Sequence, residues 1–286
     1  MDTWFSSGLL TFSTLGWPAF AKATAGQPCD NDLANFHPTS IVMPGYEILF
    51  FWVARMILMS QYLLGEIPFK TVYLHGMVRN IEGKKFSKSA GNNIDPLDIA
   101  AEYGTDALRM ALVVGVGPGN DTKFDLNKVK AYKHFANKIW NITRFILSNT
   151  ENIKWDKNFS DYLGPEVALN MERDDLIKEL TREMEDYKFY LVADKLYQYI
   201  WTRLADKIIE ESKIVLSDKD QKAKISRAQF LLNTLVKMVV VLHPFMPFLT
   251  EEIWQILMSS GKNLKGPGNG LLMVESWPIF TEESRG

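Results

Sequence analysis

Lys85-Phe86-Ser87-Lys88-Ser89 places two ammonium groups three residues apart, with a hydroxyl beside each face of the second. Such a cluster offers compact positive charge and short O–H donors, which suits a polyphosphate whose negative charge grows during reaction. Gly83 before it, and Gly91-Asn92 after it, tolerate unusual backbone angles, so the string reads as a loop. It is not a phosphate loop of the G-x-x-x-x-G-K-[ST] type. The spacing from Gly76 to Gly83 is wrong, and Lys84 is followed by Lys85 instead of Ser or Thr. A basic string alone is ordinarily a solvated loop, so its meaning depends on the elements that hold it.

Ser40-Ile41-Val42-Met43 and Thr71-Val72-Tyr73-Leu74 are short β-prone runs. Between them, residues 47–64 read as a helix stopped by Gly65, with Pro68 beyond. Strand, helix and strand in that order make a βαβ unit, the building block of a parallel sheet. His75-Gly76 follows the second strand directly, so the chain approaches Lys85 from a strand end. Past the loop, Asp95 reads as an N-cap with Pro96 at the first helical position. Gly104 ends that helix, and Thr105 caps the next, which runs to Gly115. Residues 19–35 are small, polar and weakly patterned, and read as an exposed loop.

Near Thr122 the pattern turns helical. Val129, Tyr132, Ala136, Ile139, Thr143 and Ile146 recur three and four apart, which is one face of a helix. Residues 174–184, 191–212 and 221–242 carry similar patterns, and a further helix is expected from Thr250, with Glu251 and Glu252 in its first turn. His243-Pro244-Phe245-Met246-Pro247 breaks the chain between helices. Residues 261–270 form a Gly/Pro-rich loop, and 271–277 read as a closing strand. The expected organisation is an incomplete parallel α/β sheet over 1–122 and an all-α helix bundle over 123–286.

With 286 residues, 47% of them hydrophobic, the chain can bury one large or two ordinary cores. A single cysteine, Cys29, excludes an internal disulfide or a cysteine zinc site, and points to a reducing, cytoplasmic setting. The apolar run 48–64 is interrupted by Arg55 and Gln61 and is shorter than the roughly 20 apolar residues a span requires. It reads as a buried helix. The N-terminus lacks a basic region followed by an apolar core, so neither a signal peptide nor a membrane partner is expected. The net charge of −2 does not exclude nucleic acid, because local fields outweigh the sum. Lys70, Arg79, Lys84, Lys85 and Lys88 form one basic stretch; Lys123, Lys128, Lys130, Lys133, Lys138 and Arg144 form another.

The strand end and loop, read from His75-Gly76-Met77-Val78-Arg79-Asn80 to Lys85-Phe86-Ser87-Lys88-Ser89, resemble the signature region of class I aminoacyl-tRNA synthetases. In that family a KMSKS loop follows the last strand of a Rossmann-type sheet. The resemblance narrows to the valyl-tRNA synthetases through Asp2-Thr3-Trp4-Phe5-Ser6-Ser7, Gly45-Tyr46-Glu47-Ile48, Asp95-Pro96-Leu97-Asp98 and Pro118-Gly119-Asn120-Asp121. Asn137-Lys138-Ile139-Trp140-Asn141-Ile142-Thr143-Arg144-Phe145 continues it. His243-Pro244-Phe245-Met246-Pro247-Phe248 and Thr250-Glu251-Glu252-Ile253-Trp254 are similar to the anticodon-binding domain of the Val/Ile/Leu group. The isoleucyl and leucyl enzymes are the near alternatives.

The resemblance implies activation of valine by ATP with Mg2+, followed by transfer to tRNA-Val. Lys88, then Lys85, would neutralise the phosphates, with Ser87 and Ser89 positioning the loop and donating to phosphate oxygens. His75, Gly76 and Met77 would carry the adenosine, and Gly45 and Glu47 would approach the ribose. Glu47 stands where the family usually has Asp, Phe86 where it has Met, and Asn80 where it commonly has Asp. Trp4, Ile48 and Trp52 match valine-pocket positions, and Ile48 and Trp52, four apart, would share a helix face. Lys138, Trp140 and Arg144 are the candidate tRNA contacts, by phosphate pairing and base stacking. The four histidines, His37, His75, His134 and His243, include no His-x-Gly-His string, and no editing domain is visible. The missing N-terminal catalytic half is therefore an expected partner. A chain without it would be a non-catalytic tRNA-binding module.

Overall fold

The computed structural model describes residues 2–17, 32–86, 93–156, 158–260 and 270–278. The chain divides into two compact units, Met1–Phe86 with Gly117–Lys123, and Ser87–Val116 with Phe124–Gly286. Residues 96–113 thus group with the helical unit, although sequence character alone places them before the change near 122. Their buried face explains this, since Ala107, Leu108, Met110 and Ala111 join the core of the bundle. Membership is decided by which core an apolar face enters, and a local pattern does not report that.

In the first unit, α1 (Thr3–Ser13) starts at Asp2, whose carboxylate accepts from the Trp4 and Phe5 amides. α2 (Asp32–Phe36) is a short helix, so the end of the segment expected as an exposed loop is helical. Residues 19–31 of that segment lie outside the described residues. β1 (Thr39–Val42) and β2 (Phe69–Val72) pair in parallel, joined by the helical crossover the sequence implies. The crossover is not one regular helix. It opens as a 3-10 turn, Tyr46–Ile48, passes through a π turn, Leu49–Val53, and becomes α3 (Ala54–Leu64) only then. Gly65, at φ +78°, ends it in a left-handed conformation that glycine adopts without a Cβ clash. β3 (Val78–Arg79) pairs in parallel with β4 (Thr122–Lys123), a short strand that carries no sequence pattern of its own.

The expectation that residues 48–64 are buried is not met. Val53, Met56 and Phe69 form a small core, while Phe50, Leu58 and Tyr62 stand exposed. A parallel sheet normally has both faces covered, and two paired strands with one crossover cover only part of this helix. By length and composition Tyr46–Leu64 and the helix at Gln221–Leu242 could each cross a membrane, but the latter is mostly buried in the bundle, as a core helix is.

The regular elements of the second unit's described residues are all helical. α4 (Pro96–Tyr103) has Asp95 as N-cap, bonded to the Leu97 amide at 2.8 Å, as expected. α5 (Thr105–Val113) is entered through Gly104 at φ +97°, without a side-chain cap, so Thr105 is the first helical residue and not the cap. α6 (Leu126–Asn149) is capped by Asp125 through the Asn127 amide. α7 (Gly164–Glu185) begins ten residues before the expected 174. α8 (Phe189–Gln198), a π segment at Tyr199–Ile209 and α9 (Glu210–Ser217) are continuous. α10 (Gln221–Leu242) runs through the core, burying Phe230, Leu231, Leu232 and Leu235. α11 (Pro247–Ser259) starts at Pro247, three residues before the expected Thr250.

A side-chain clasp from α5 explains that earlier start. Asp106 accepts from the Leu249 amide at 2.7 Å, serving the orphan donors of α11 from another helix. Arg109 donates to the carbonyls of Pro244 and Phe245, at 2.8 and 3.2 Å. No closing strand forms over 271–277. Leu272–Val274 is a 3-10 turn whose Leu272 side chain is buried and whose amide donates to Glu251 at 3.0 Å. A lone strand would leave its ladder groups unpaired, and a side-chain acceptor takes their place here.

Candidate active site

The site is built on the segment that follows β2. Its two edges are occupied by different stretches of the first unit. On one edge, the His75 amide donates to the Pro44 carbonyl at 3.1 Å and the Tyr46 amide to the His75 carbonyl at 3.1 Å, which sets Gly45 opposite His75. On the other, the Gly119 amide donates to Leu74 at 2.9 Å and the Thr122 amide to Met77 at 3.0 Å. Residues 74–79 therefore run as the central member of three parallel segments, continuing β2 past its regular end.

The glycines here answer to the protein as well as to any ligand. A Cβ on Gly76 would lie 1.8 Å from the Asn120 carbonyl oxygen, so only glycine lets residues 117–121 cross there. A Cβ on Gly45 would meet the His75 ring at 3.3 Å. Close packing of protein on protein accounts for both, before a ribose is invoked.

Asp121 ties the two strand ends together. Its carboxylate accepts from the Met77 amide at 2.8 Å, from Arg79 Nε at 2.5 Å and from the Tyr46 hydroxyl at 3.5 Å. The Met77 amide, followed by the Arg79 guanidinium, holds the Asp121 carboxyl below the usual carboxylate range. The hydrogen bond to Asp121 in turn raises Arg79 above the ordinary arginine value. Unlike Met77, the residues Tyr46, Arg79 and Asp121 carry no sequence signal that gives them a part in the site. Each lies within a string that carries the family resemblance: Gly45-Tyr46-Glu47-Ile48, His75-Gly76-Met77-Val78-Arg79-Asn80 and Pro118-Gly119-Asn120-Asp121.

The approach to the signature loop is a tight turn. The Asn80 amide donates to the Lys84 carbonyl at 2.9 Å, and the Lys84 amide donates back to Asn80 Oδ1 at 2.8 Å. Gly83, at φ +84°, closes the turn, and Arg79 and Lys85 face each other as an antiparallel bridge. Asn80 thus has a definite part, since its side chain shapes the turn that presents Lys85. From there Lys85 Nζ reaches Glu47 Oε1 at 3.0 Å. Gly45, Glu47, His75, Gly76, Met77 and Lys85, all named from sequence, are gathered on one edge of the first unit. Ser87, Lys88 and Ser89 lie outside the described residues.

Trp4 and Trp52 also meet, stacked at 4.9 Å between ring centroids, with Phe51 at 5.4 Å and the Arg55 guanidinium 4.1 Å over the Trp4 ring. Ile48 does not share a regular helix face with Trp52. It closes the 3-10 turn at ψ 8°, and the π turn that follows has a different residue period from the α-helix assumed.

Of the candidate tRNA contacts, Trp140 and Arg144, four apart on α6, share a side of the helix and Lys138 does not. On α6, Lys138 and Trp140 are two positions apart and point to opposite sides, since successive residues rotate by about 100°. Trp140 packs against the bundle core and Arg144 is exposed. Lys138 is already paired with Asp206 at 2.7 Å and lies 4.8 Å over the Trp201 ring. Among the described residues, no group of three His, Cys, Asp or Glu could hold a metal ion.

Two family models match different stretches of the chain. Residues 1–125 match the family of class I tRNA synthetases (I, L, M and V), and residues 168–285 match the anticodon-binding domain of tRNA ligases. The chain is 41% identical over 285 residues to the valine–tRNA ligase of Clostridium tetani, and 40% identical over 287 residues to that of Listeria innocua. Each alignment takes in 99% of this chain and 30% of the relative, so the chain spans about a third of the length of these proteins. The leucyl-tRNA synthetase (LeuRS) of Agrobacterium radiobacter, solved with tRNA, has a TM-score of 0.74 at 21% identity, over 99% of this chain and 33% of that one. The methionyl-tRNA synthetase of Mycobacterium tuberculosis, solved with methionyl-adenylate, has a TM-score of 0.71 at 21% identity, over 89% of this chain and 49% of that one. At such identity these structures establish the fold. The parallel segments that lead to Lys85, the helical bundle and the matched sequences together place the chain in the class I tRNA synthetases of the isoleucine, leucine, methionine and valine group, as part of their catalytic domain joined to an anticodon-binding domain.

Proposed function

We propose that the chain supplies the signature-lysine side of the adenylation site and the anticodon-binding domain of a valine–tRNA ligase, working in the cytoplasm. The observation that carries this reading is the convergence of Lys85 and Glu47 beside His75, in a chain 41% identical to a valine–tRNA ligase. The substrates are valine, ATP carried with Mg2+, and tRNA-Val. Mg2+ commonly arrives held by substrate phosphates, with few protein ligands.

In this reading a valine carboxylate oxygen attacks the α-phosphorus of ATP, and pyrophosphate leaves. Lys88 and Lys85 offset the charge that develops on the leaving phosphates, with Ser87 and Ser89 donating to phosphate oxygens. The His75-Gly76-Met77 backbone carries the adenine ring, and Gly45 and Glu47 border the ribose. Trp4 and Trp52, stacked as a pair, wall the valine side. Activity requires the N-terminal catalytic half, which would cover the exposed Phe50 and Leu58 and supply the remaining ATP contacts. The helical unit holds the tRNA, and Arg144 is its most accessible candidate contact on α6.

The test is valine-dependent exchange of labelled pyrophosphate into ATP, measured on this chain alone and with the N-terminal half added in trans. Exchange only with the added half is expected, and Lys88→Ala in the reconstituted enzyme should lower its rate about a hundredfold or more. Exchange driven by isoleucine or leucine in place of valine would overturn the substrate. No exchange under either condition, with tRNA-Val binding retained, would make the chain a non-catalytic tRNA-binding module.

A further inference from the structure

Residues 74–79 have one well-ordered edge and one improvised edge. The edge toward Pro44-Gly45-Tyr46 is closed by two main-chain bonds. On the other edge, Met77 receives its main-chain bond from Thr122 but donates its own amide to a side chain, Asp121, at 2.8 Å. The same carboxylate holds Arg79 at 2.5 Å, and Arg79 reaches the Gly83 carbonyl at 3.4 Å inside the turn that presents Lys85. The Tyr46 hydroxyl, one residue from Gly45, closes the network at 3.5 Å. One carboxylate therefore joins the backbone beneath the adenosine position, the root of the signature loop and the turn beside Glu47. Charged groups in such bonds hold geometry more tightly than neutral ones.

We propose that Asp121 is a positioning residue for ATP: it fixes the Met77 amide and Arg79 so that the adenosine platform and Lys85 keep a set spacing. This rests on reading the unit as half of an adenylation site. Asp121 touches no reacting atom, and it acts through Met77 and Arg79. Loss of the carboxylate frees both at once, whereas Asp121→Asn keeps an oxygen for the Met77 amide and removes the charge opposite Arg79.

The experiment measures pyrophosphate exchange kinetics in the complete ligase containing this chain, together with equilibrium binding of a non-hydrolysable ATP analogue. Asp121→Ala should raise KM for ATP about tenfold and weaken analogue binding to match, with KM for valine within about twofold of the parent. Asp121→Asn should fall between, and Arg79→Ala added to Asp121→Ala should cost little more, because both act through one contact. Unchanged ATP affinity in Asp121→Ala overturns the proposal. So does an equal rise in both KM values accompanied by a lower melting temperature, which marks a general structural role. If the parent binds the analogue but supports no exchange, the activation reading fails alone, and the binding comparison still decides the role of Asp121. If the parent binds no nucleotide, both fail.

Discussion

Lys85 and Glu47 form an ion pair, Nζ to Oε1 at 3.0 Å, although they are 38 positions apart in the chain. One is the first lysine of the signature string, and the other is the carboxylate that family resemblance sets near a ribose. Both are substantially solvent-exposed, so the pair itself contributes at most about 1 kcal/mol. On the proposed reading, ATP displaces it at little cost.

That magnitude decides the expected effect of Glu47→Gln. Releasing Lys85 helps phosphate binding by no more than about 1 kcal/mol. Losing a charged acceptor for a ribose hydroxyl costs about 1.5–3 kcal/mol. The second effect wins, so KM for ATP should rise severalfold to about tenfold in the complete ligase. Exchange kinetics at varied ATP check this. A lower KM would show that Glu47 serves Lys85 alone.

The bundle contains a buried ion pair whose removal should be costly on one side only. Arg227 Nε lies 2.7 Å from Glu166 Oε1, both side chains nearly fully buried, with Ser226 and Ser212 completing the bonds. Arg227→Met strands the Glu166 carboxylate with a single serine donor and should cost about 3–5 kcal/mol. Adding Glu166→Gln should recover a large part of that loss. Urea unfolding of the three variants is the measurement, and a double variant as weak as the single one contradicts it.

His243 sets a pH dependence. Its ring nitrogen Nδ1 lies 2.8 Å from Thr250 Oγ1, and that hydroxyl already points to the Met246 carbonyl at 2.8 Å. The ring must then donate from Nδ1. Burial holds its pKa below the ordinary value of 6.5, outweighing the pull of Glu251 and Asp106, and Arg109 acts in the same direction as burial. With a depressed folded pKa, the unfolded ring takes its proton first as pH falls. Stability is full above about pH 6.5 and is lost as pH drops through the folded value. His243→Gln should flatten that loss in thermal melts between pH 7.5 and 5.5. Asp106 works the other way at lower pH. Burial pushes its carboxyl above the usual range despite the α11 amides, so acid favours its folded form. An unchanged slope in the His243 variant would assign the titration elsewhere.

The parallel βαβ start, the cap at Asp95 and the helical second half were legible in the sequence, because apolar period and capping residues are local signals, whereas Gly45, Glu47, His75, Gly76 and Met77 were named through family resemblance alone. Tertiary structure alone decided what those signals do not contain. It put α4 and α5 with the bundle, since Met110 and Ala111 enter that core. It began the crossover as 3-10 and π turns, so Ile48 and Trp52 do not share a regular α-helix face. It paired Lys138 with Asp206 and set its ammonium over the Trp201 ring. It also brought Asp121 to Met77 and Arg79 across more than 40 residues, through a segment with no periodicity to read. A carboxylate's partner is set by where two distant backbones cross, and here that crossing depends on the absent side chain of Gly76.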